Sequence, residues 1–319
     1  MTRLATLAAW NVILAGMILP GPAEAAAPSS RDLVIAARGQ VQAIIVVSPQ
    51  AGKLEQKAAD DLARYIGLIC GSTPQVARTP QAVKAALADK RPVLVVGQQA
   101  LTLNPSLGDR LKTVLKPSPR LASDGIVLLR QGRHVFLAGN NPRAHYFAVA
   151  EFLRGWGCRW YLPTEFGECI PRRADLHVGE LDRTTSSPFE VRTYWISWLG
   201  DRSGADDFRL QNMMTDRSAM PPTGHALGKF TRGLGKGTFH FPITAPNTAK
   251  HVAAQVEKQF AAGGRFSLGM EDGSYNSDDP RDQRLMKLQW DKYFMRWSVT
   301  DPMLELYNNV AGILQRKYP

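Results

Sequence analysis

Pro92-Val93-Leu94-Val95-Val96-Gly97 decides the fold. Four consecutive apolar residues between a proline and a glycine have no polar face to turn to water. They read as a strand buried on both sides, the kind found where helices cover both faces of a sheet. Upstream, Leu54, Ala58, Leu62, Ile66 and Ile69 recur at helical spacing with Lys and Asp between them. That pattern predicts an amphipathic helix over 54–69, closed at Gly71, with strands at 33–36 and 43–47 before it. Downstream, apolar runs at 125–129 and 134–139 flank Arg130-Gln131-Gly132-Arg133, the signature of a tight hairpin. Asn140-Asn141-Pro142 then supplies a cap and a proline for a helix running through Phe147, Val149, Phe152 and Leu153 to Gly155. Strands alternating with helices predict a small mixed-sheet α/β domain over residues 31–175.

After a polar, turn-rich stretch, Pro188 precedes a second strand-and-helix pattern over 188–319. It comprises an aromatic and β-branched strand at 189–196, a candidate element at 208–213, a helix over 249–260, a strand at 265–270 and a helix over 301–314. The expectation is a partial (β/α) TIM-barrel-like domain, because eight βα units need ~200 to 250 residues and only about 130 remain. Such a chain is either part of a longer barrel, or a truncated remnant, or not a barrel in its second part.

The N-terminal residues Met1-Thr2-Arg3, the apolar run from Leu4 to Leu19 and Ala23-Glu24-Ala25 have the order of a signal peptide over 1–25. The run is shorter than the ~20 residues that span a bilayer, so the mature chain is expected to be periplasmic or secreted, with no membrane span. Net charge is +11. Lys and Arg are nevertheless scattered singly or in short pairs such as Arg172-Arg173, without a nucleic-acid motif, so no nucleic-acid partner is expected. A diffuse positive field favours anionic partners such as uronic-acid sugars. Of the three cysteines, Cys158 and Cys169 lie close enough to close a small loop, or Cys158 is a small buried residue between Trp156 and Trp160. No metal-ligand spacing occurs among the six histidines, and no nucleotide-binding glycine motif or nucleophile elbow appears, so neither metal nor cofactor is expected.

Gly155-Trp156-Gly157-Cys158-Arg159-Trp160-Tyr161-Leu162-Pro163, followed by Glu165-Phe166-Gly167-Glu168-Cys169-Ile170-Pro171, resembles the family called domain of unknown function 4838. The N-terminal domain of that family is similar to the one preceding the barrel in bacterial alpha-glucuronidases and beta-hexosaminidases. The helix Ala58-Ala59-Asp60-Asp61-Leu62-Ala63-Arg64-Tyr65, the strand end Val96-Gly97, the Phe189 to Arg192 entry and Phe266-Ser267-Leu268-Gly269 follow in the family's order. Pro142-Arg143-Ala144-His145 departs from it, since the family usually enters that helix through a glycine. The resemblance implies a glycosidase-like architecture with a ligand cleft at the C-terminal ends of the barrel strands, and no more than that about activity.

Glycoside hydrolysis ordinarily takes two carboxyl groups, one of them protonated. Glu271-Asp272, where a strand gives way to a Gly-Ser loop, is the best local candidate, and the hexosaminidases resembled here carry an adjacent pair in the opposite order. In that reading Glu271 is the general acid and Asp272 its orienting partner. The plainer reading is a solvated acidic loop of Glu271, Asp272, Asp278 and Asp279. His225, Asn212 and the pair Asp201 and Arg202 are candidates to hydrogen-bond sugar hydroxyls, against ordinary capping and ion-pair roles. Trp195 and Trp198 are candidates to stack on a pyranose ring, against core packing. Trp156, Trp160 and Tyr161 are expected to be structural. Together these features point to a glycoside hydrolase-like exported protein acting on polysaccharide or uronic-acid oligosaccharides, or else to a non-catalytic carbohydrate-binding or scaffold protein of the envelope. The oligomeric state stays open.

Overall fold

The computed structural model describes residues 32–119, 123–193, 204–215 and 222–318. The expected leader lies outside them. Two compact units form: one from the described residues of Met1–Leu115, Asp124–Arg159 and Glu168–Ser186, the other from those of Lys116–Ser123, Trp160–Gly167 and Ser187–Pro319.

Along the first part of the chain come β1 (Leu33–Ala37), β2 (Gln40–Val41), β3 (Ile44–Val47), α1 (Lys53–Cys70), β4 (Val76–Ala77), α2 (Pro80–Ala88), β5 (Val93–Val96), α3 (Gln98–Leu103) and α4 (Ser106–Val114). They are followed by β6 (Gly125–Gln131), β7 (His134–Gly139), α5 (Pro142–Gly155), β8 (Arg159–Trp160), β9 (Glu168–Cys169), β10 (Leu176–Val178) and β11 (Asp182–Ser186). Six strands build one sheet in the order β11-β6-β7-β5-β3-β4. Strands β4, β3, β5 and β7 run parallel, while β6 and β11 are antiparallel to their neighbours. A smaller antiparallel sheet has the order β10-β1-β2.

The continuous apolar strands are explained by two covered faces. Ile44, Val46, Val93, Val95, Val127, Leu129, Phe136 and Ala138 pack with Val83, Ala86, Leu107 and Leu111 of α2 and α4. The alternating residues, Ile45, Val47, Leu94, Val96 and Leu137, are fully buried on the opposite face, where α1 and α5 lie. The helix boundaries follow from the caps anticipated. Gly71 takes φ +84 to end α1, and the Asn141 side chain accepts the Ala144 amide at 2.9 Å beside a proline at the first turn of α5. The β6–β7 connection is tight, as expected, and its loop is two residues long with Gly132 at φ +57.

Two buried polar groups tie this unit together. Glu55 on α1 accepts the Gln98 amide at 2.7 Å at the start of α3. His145 on α5, 6% exposed, accepts the Gly139 amide on Nδ1 at 3.0 Å. Trp156 is buried in this unit, Trp160 is buried, and Tyr161 is exposed. All three cysteines are free, Cys158 buried and Cys169 exposed, so of the two readings Cys158 follows that of a small buried residue. Helices α2, α3 and α4 and strands β10 and β11 were not anticipated.

The second part of the chain carries α6 (Ala205–Gln211), α7 (Leu227–Phe230), α8 (Pro246–Ala261), α9 (Pro280–Met286), β12 (Trp290–Asp291), β13 (Arg296–Trp297) and α10 (Thr300–Lys317). Helices α8 and α10 cover the ones expected at 249–260 and 301–314. They supply Val252, Val256, Leu306, Val310 and Leu314 to a core shared with Phe241, Ile243 and Tyr275. Asp282 is fully buried there and accepts from the Ile243 amide at 2.6 Å, the Thr244 amide at 3.0 Å, the Thr244 hydroxyl at 2.5 Å and the Ser277 hydroxyl at 2.5 Å. Four donors offset the desolvation that would otherwise expel a carboxylate from this core.

Two expected strands of this unit differ from the reading. Residues 189–193 join no ladder, although Arg192 and Thr215 exchange hydrogen bonds in both directions, and the rest of that expected strand lies outside the described residues. Residues 265–270 form no strand and make one parallel bridge, His225↔Gly269. Ser267 uses its hydroxyl to accept the Gly269 amide at 3.0 Å and to donate to Gly224 O at 3.1 Å, a local turn that competes with a ladder. The candidate element at 208–213 is the end of α6. The chain as a whole is α/β, as expected.

Candidate functional site

Residues 265–270 deliver Glu271 to a small polar cluster. Gly269 makes the approach possible, because a Cβ there would lie 2.4 Å from Gly224 O. Its carbonyl accepts the Ala226 and Leu227 amides, both at 3.0 Å, and so fixes the start of α7 against this segment. The Gly228 amide, in the first turn of α7, donates to Glu271 Oε1 at 2.8 Å. The Tyr275 hydroxyl donates to Glu271 Oε2 and accepts the Glu271 amide at 3.1 Å. Both carboxylate oxygens are therefore gripped.

His225 lies alongside. Its Nδ1 is 2.6 Å from Met270 O, and because a carbonyl only accepts, Nδ1 carries a proton. Nε2 is then the nitrogen that faces Asp272 Oδ2 at 3.5 Å. Asp272 itself stands in solvent. The cluster thus has a held carboxylate, an imidazole and a second, exposed carboxylate at its mouth.

Burial works to raise the Glu271 carboxyl. The Tyr275 hydroxyl, the Gly228 amide, the residue's own amide and the charge of His225 outweigh it, and the group is held below the ordinary carboxylate range. Tyr275 is pushed upward by burial and then by the Glu271 carboxylate, so it remains a donor. Tyr307, whose hydroxyl donates to Leu268 O at 2.9 Å, is raised by burial and by the same carboxylate. A carboxylate gripped by donors on both oxygens is arranged to accept hydrogen bonds.

The expected site residues are only partly gathered. Glu271, Asp272 and His225 come together. Asn212 spends its side-chain amide on Trp160 O at 3.1 Å and Phe208 O at 3.0 Å, a structural use at the end of α6. Trp195, Trp198, Asp201 and Arg202 lie outside the described residues. Asp278 is paired with Lys236 at 2.7 Å, and Asp279 caps α9 by accepting the Arg281 amide at 2.8 Å, so those two acids serve the loop. Tyr275 carries no sequence signal beyond its place four residues after Glu271 in a Gly-Ser loop. Among the described residues no group of three or more His, Cys, Asp or Glu side chains has the arrangement to hold a metal ion. Among them, too, no helix is long and apolar enough to cross a membrane.

No family model and no curated protein matches the chain. Among solved structures it is similar to a family GH115 4-O-methyl-alpha-glucuronidase with specificity for decorated arabinogalactans, at a TM-score of 0.43 and 12% identity. The match covers 89% of this chain and 41% of that one, so the chain spans less than half of that enzyme's length.

Proposed function

We propose that this is an exported, glycoside hydrolase-like protein that handles polysaccharide or uronic-acid oligosaccharides, with the Glu271 carboxylate as its sugar contact. The observation that carries the reading is the grip of Tyr275 and the Gly228 amide on a half-buried Glu271, with His225 and the exposed Asp272 beside it. An ionised carboxylate next to an imidazole accepts a sugar hydroxyl. In hydrolysis it would serve as base or nucleophile, with the protonated acid supplied by another group. The grip on both Glu271 oxygens supports the second reading, a non-catalytic carbohydrate binder, because it suits hydrogen-bond acceptance better than proton donation. Export rests on the charge, apolar run and small residues of 1–25, and N-terminal sequencing of the mature protein tests it.

Calorimetric titration with acidic and neutral oligosaccharides, run beside a reducing-sugar release assay on wild type and Glu271→Gln, separates the readings. Release that the substitution abolishes, with binding retained, supports the hydrolase. Binding without release supports the binder. Absence of both binding and release rejects the carbohydrate reading of this site.

A further inference from the structure

The first unit holds an open cleft of about 480 Å³ between the end of α5, β10 and the segment leading into β11. One wall is aromatic. Phe152 and Trp156 lie with ring centroids 4.4 Å apart, and the indole is fixed by its Nε1 donating to His177 O at 3.0 Å. Around this wall stand the guanidinium groups of Arg154, Arg159 and Arg183, with the carboxylates of Glu151 and Glu180.

These charges are unevenly occupied. Arg183 is bonded to Glu151, which neutralises that carboxylate. Arg159 uses Nη1 on the carbonyls of Arg154 at 2.9 Å and Cys158 at 2.8 Å; its Nε and Nη2 have no partner among the described residues. His177 Nδ1 is buried, also without a hydrogen-bond partner among them. Burial holds the Arg154 guanidinium below its ordinary value; Glu151 opposes that shift and Arg159 adds to it. A guanidinium edge left without an acceptor is open to one, and its fork shape matches a carboxylate. Three guanidinium groups against two carboxylates leave one net positive charge, which suits a monoanion better than a phosphate dianion. The aromatic wall suits a ring face.

We propose that this cleft binds a carboxylate carried on a ring, an acidic sugar or an aromatic acid, with the carboxylate on the Nε and Nη2 edge of Arg159 and the ring beside Phe152 and Trp156. The site lies in the first unit and stands independently of the reading of Glu271.

Calorimetry of the full chain at low salt tests it, with D-glucuronate and benzoate as the two probes and glucose as the uncharged control. At least one acid is expected to bind and glucose not to. Arg159→Gln is expected to weaken binding about tenfold or more, and Arg183→Gln likewise, because it also leaves the Glu151 charge in the cleft. Arg183 is largely exposed, so its substitution disturbs the fold less than Arg159→Gln, and thermal melting checks both. Binding of glucuronate alone assigns an acidic sugar, and binding of benzoate alone an aromatic acid. Absence of heat from both acids, equal binding of glucose, or affinity unchanged in both variants overturns the site.

Discussion

Lowering the pH from 7 to 5 is expected to take about 2 kcal/mol of stability from the first unit through one ring, that of His145. The ring accepts the Gly139 amide on Nδ1, so its proton sits on Nε2 and it is neutral. Burial holds its pKa at about 4, against 6.5 in the open chain. Between those values the unfolded chain takes up a proton that the folded chain refuses. The contribution is therefore complete above pH 6.5, shrinks as the pH falls, and is gone near pH 4. At ~1.4 kcal/mol for each pH step of one, the full span is worth about 3.5 kcal/mol, and about 2 kcal/mol of it is lost by pH 5. Urea unfolding read by hydrogen exchange of the β7 amides confines the measurement to the first unit. His145→Gln keeps an acceptor and removes the titration, so wild type should lose about 2 kcal/mol more than the variant between the two pH values. Equal losses refute the buried, neutral histidine.

Three further outcomes follow from single positions. Gly97 has φ +68 and ψ −136, a region almost confined to glycine, and a Cβ there would lie 2.2 Å from Glu55 Oε1; Gly97→Ala should cost about 2 to 3 kcal/mol in chemical denaturation. Asp282→Asn turns an acceptor of four hydrogen bonds into a group that presents donors to donors. It should destabilise the second unit by about 3 kcal/mol, seen as faster hydrogen exchange in α8 and α10. Tyr275→Phe removes the hydroxyl that holds Glu271 Oε2, so a carboxyl-carbon NMR titration should show the Glu271 pKa rising from its wild-type position; an unchanged titration would sink the role given to Tyr275.

The first unit was legible where burial is written in composition. Val93 to Val96 and the apolar positions of α1 admit few other readings, and Asn141-Pro142 marks the start of α5. Helices α2 and α4 are not legible in the sequence because each buries only two side chains, Val83 and Ala86 in one, Leu107 and Leu111 in the other, too few to impose a period. Strand β11, Asp182-Arg183-Thr184-Thr185-Ser186, has no apolar residue and declares itself only through its ladder with β6. At the candidate site, two carboxylates before a Gly-Ser loop were readable, and His225 was readable as a polar residue near a turn. The ionisation of Glu271 was not. It depends on an amide from residue 228 and a hydroxyl from residue 275, which no local pattern places around one carboxylate.

That unremarkable strand has a consequence for how the molecule behaves while it is being made. Strand β6 begins Gly-Ile-Val-Leu-Leu, and all five residues are buried once the sheet is complete. Its free backbone edge is capped by β11, which comes last in the unit and is held by Arg110 to Asp182, Arg183 to Glu151 and the Ser186 hydroxyl to Val114 O. Until residue 186 has emerged, an apolar strand stands open, a template on which a second nascent chain can add. The five polar residues from 182 to 186 thus act as a stopper, and a chain ended ahead of them is expected to self-associate in light scattering where one ended just past them does not.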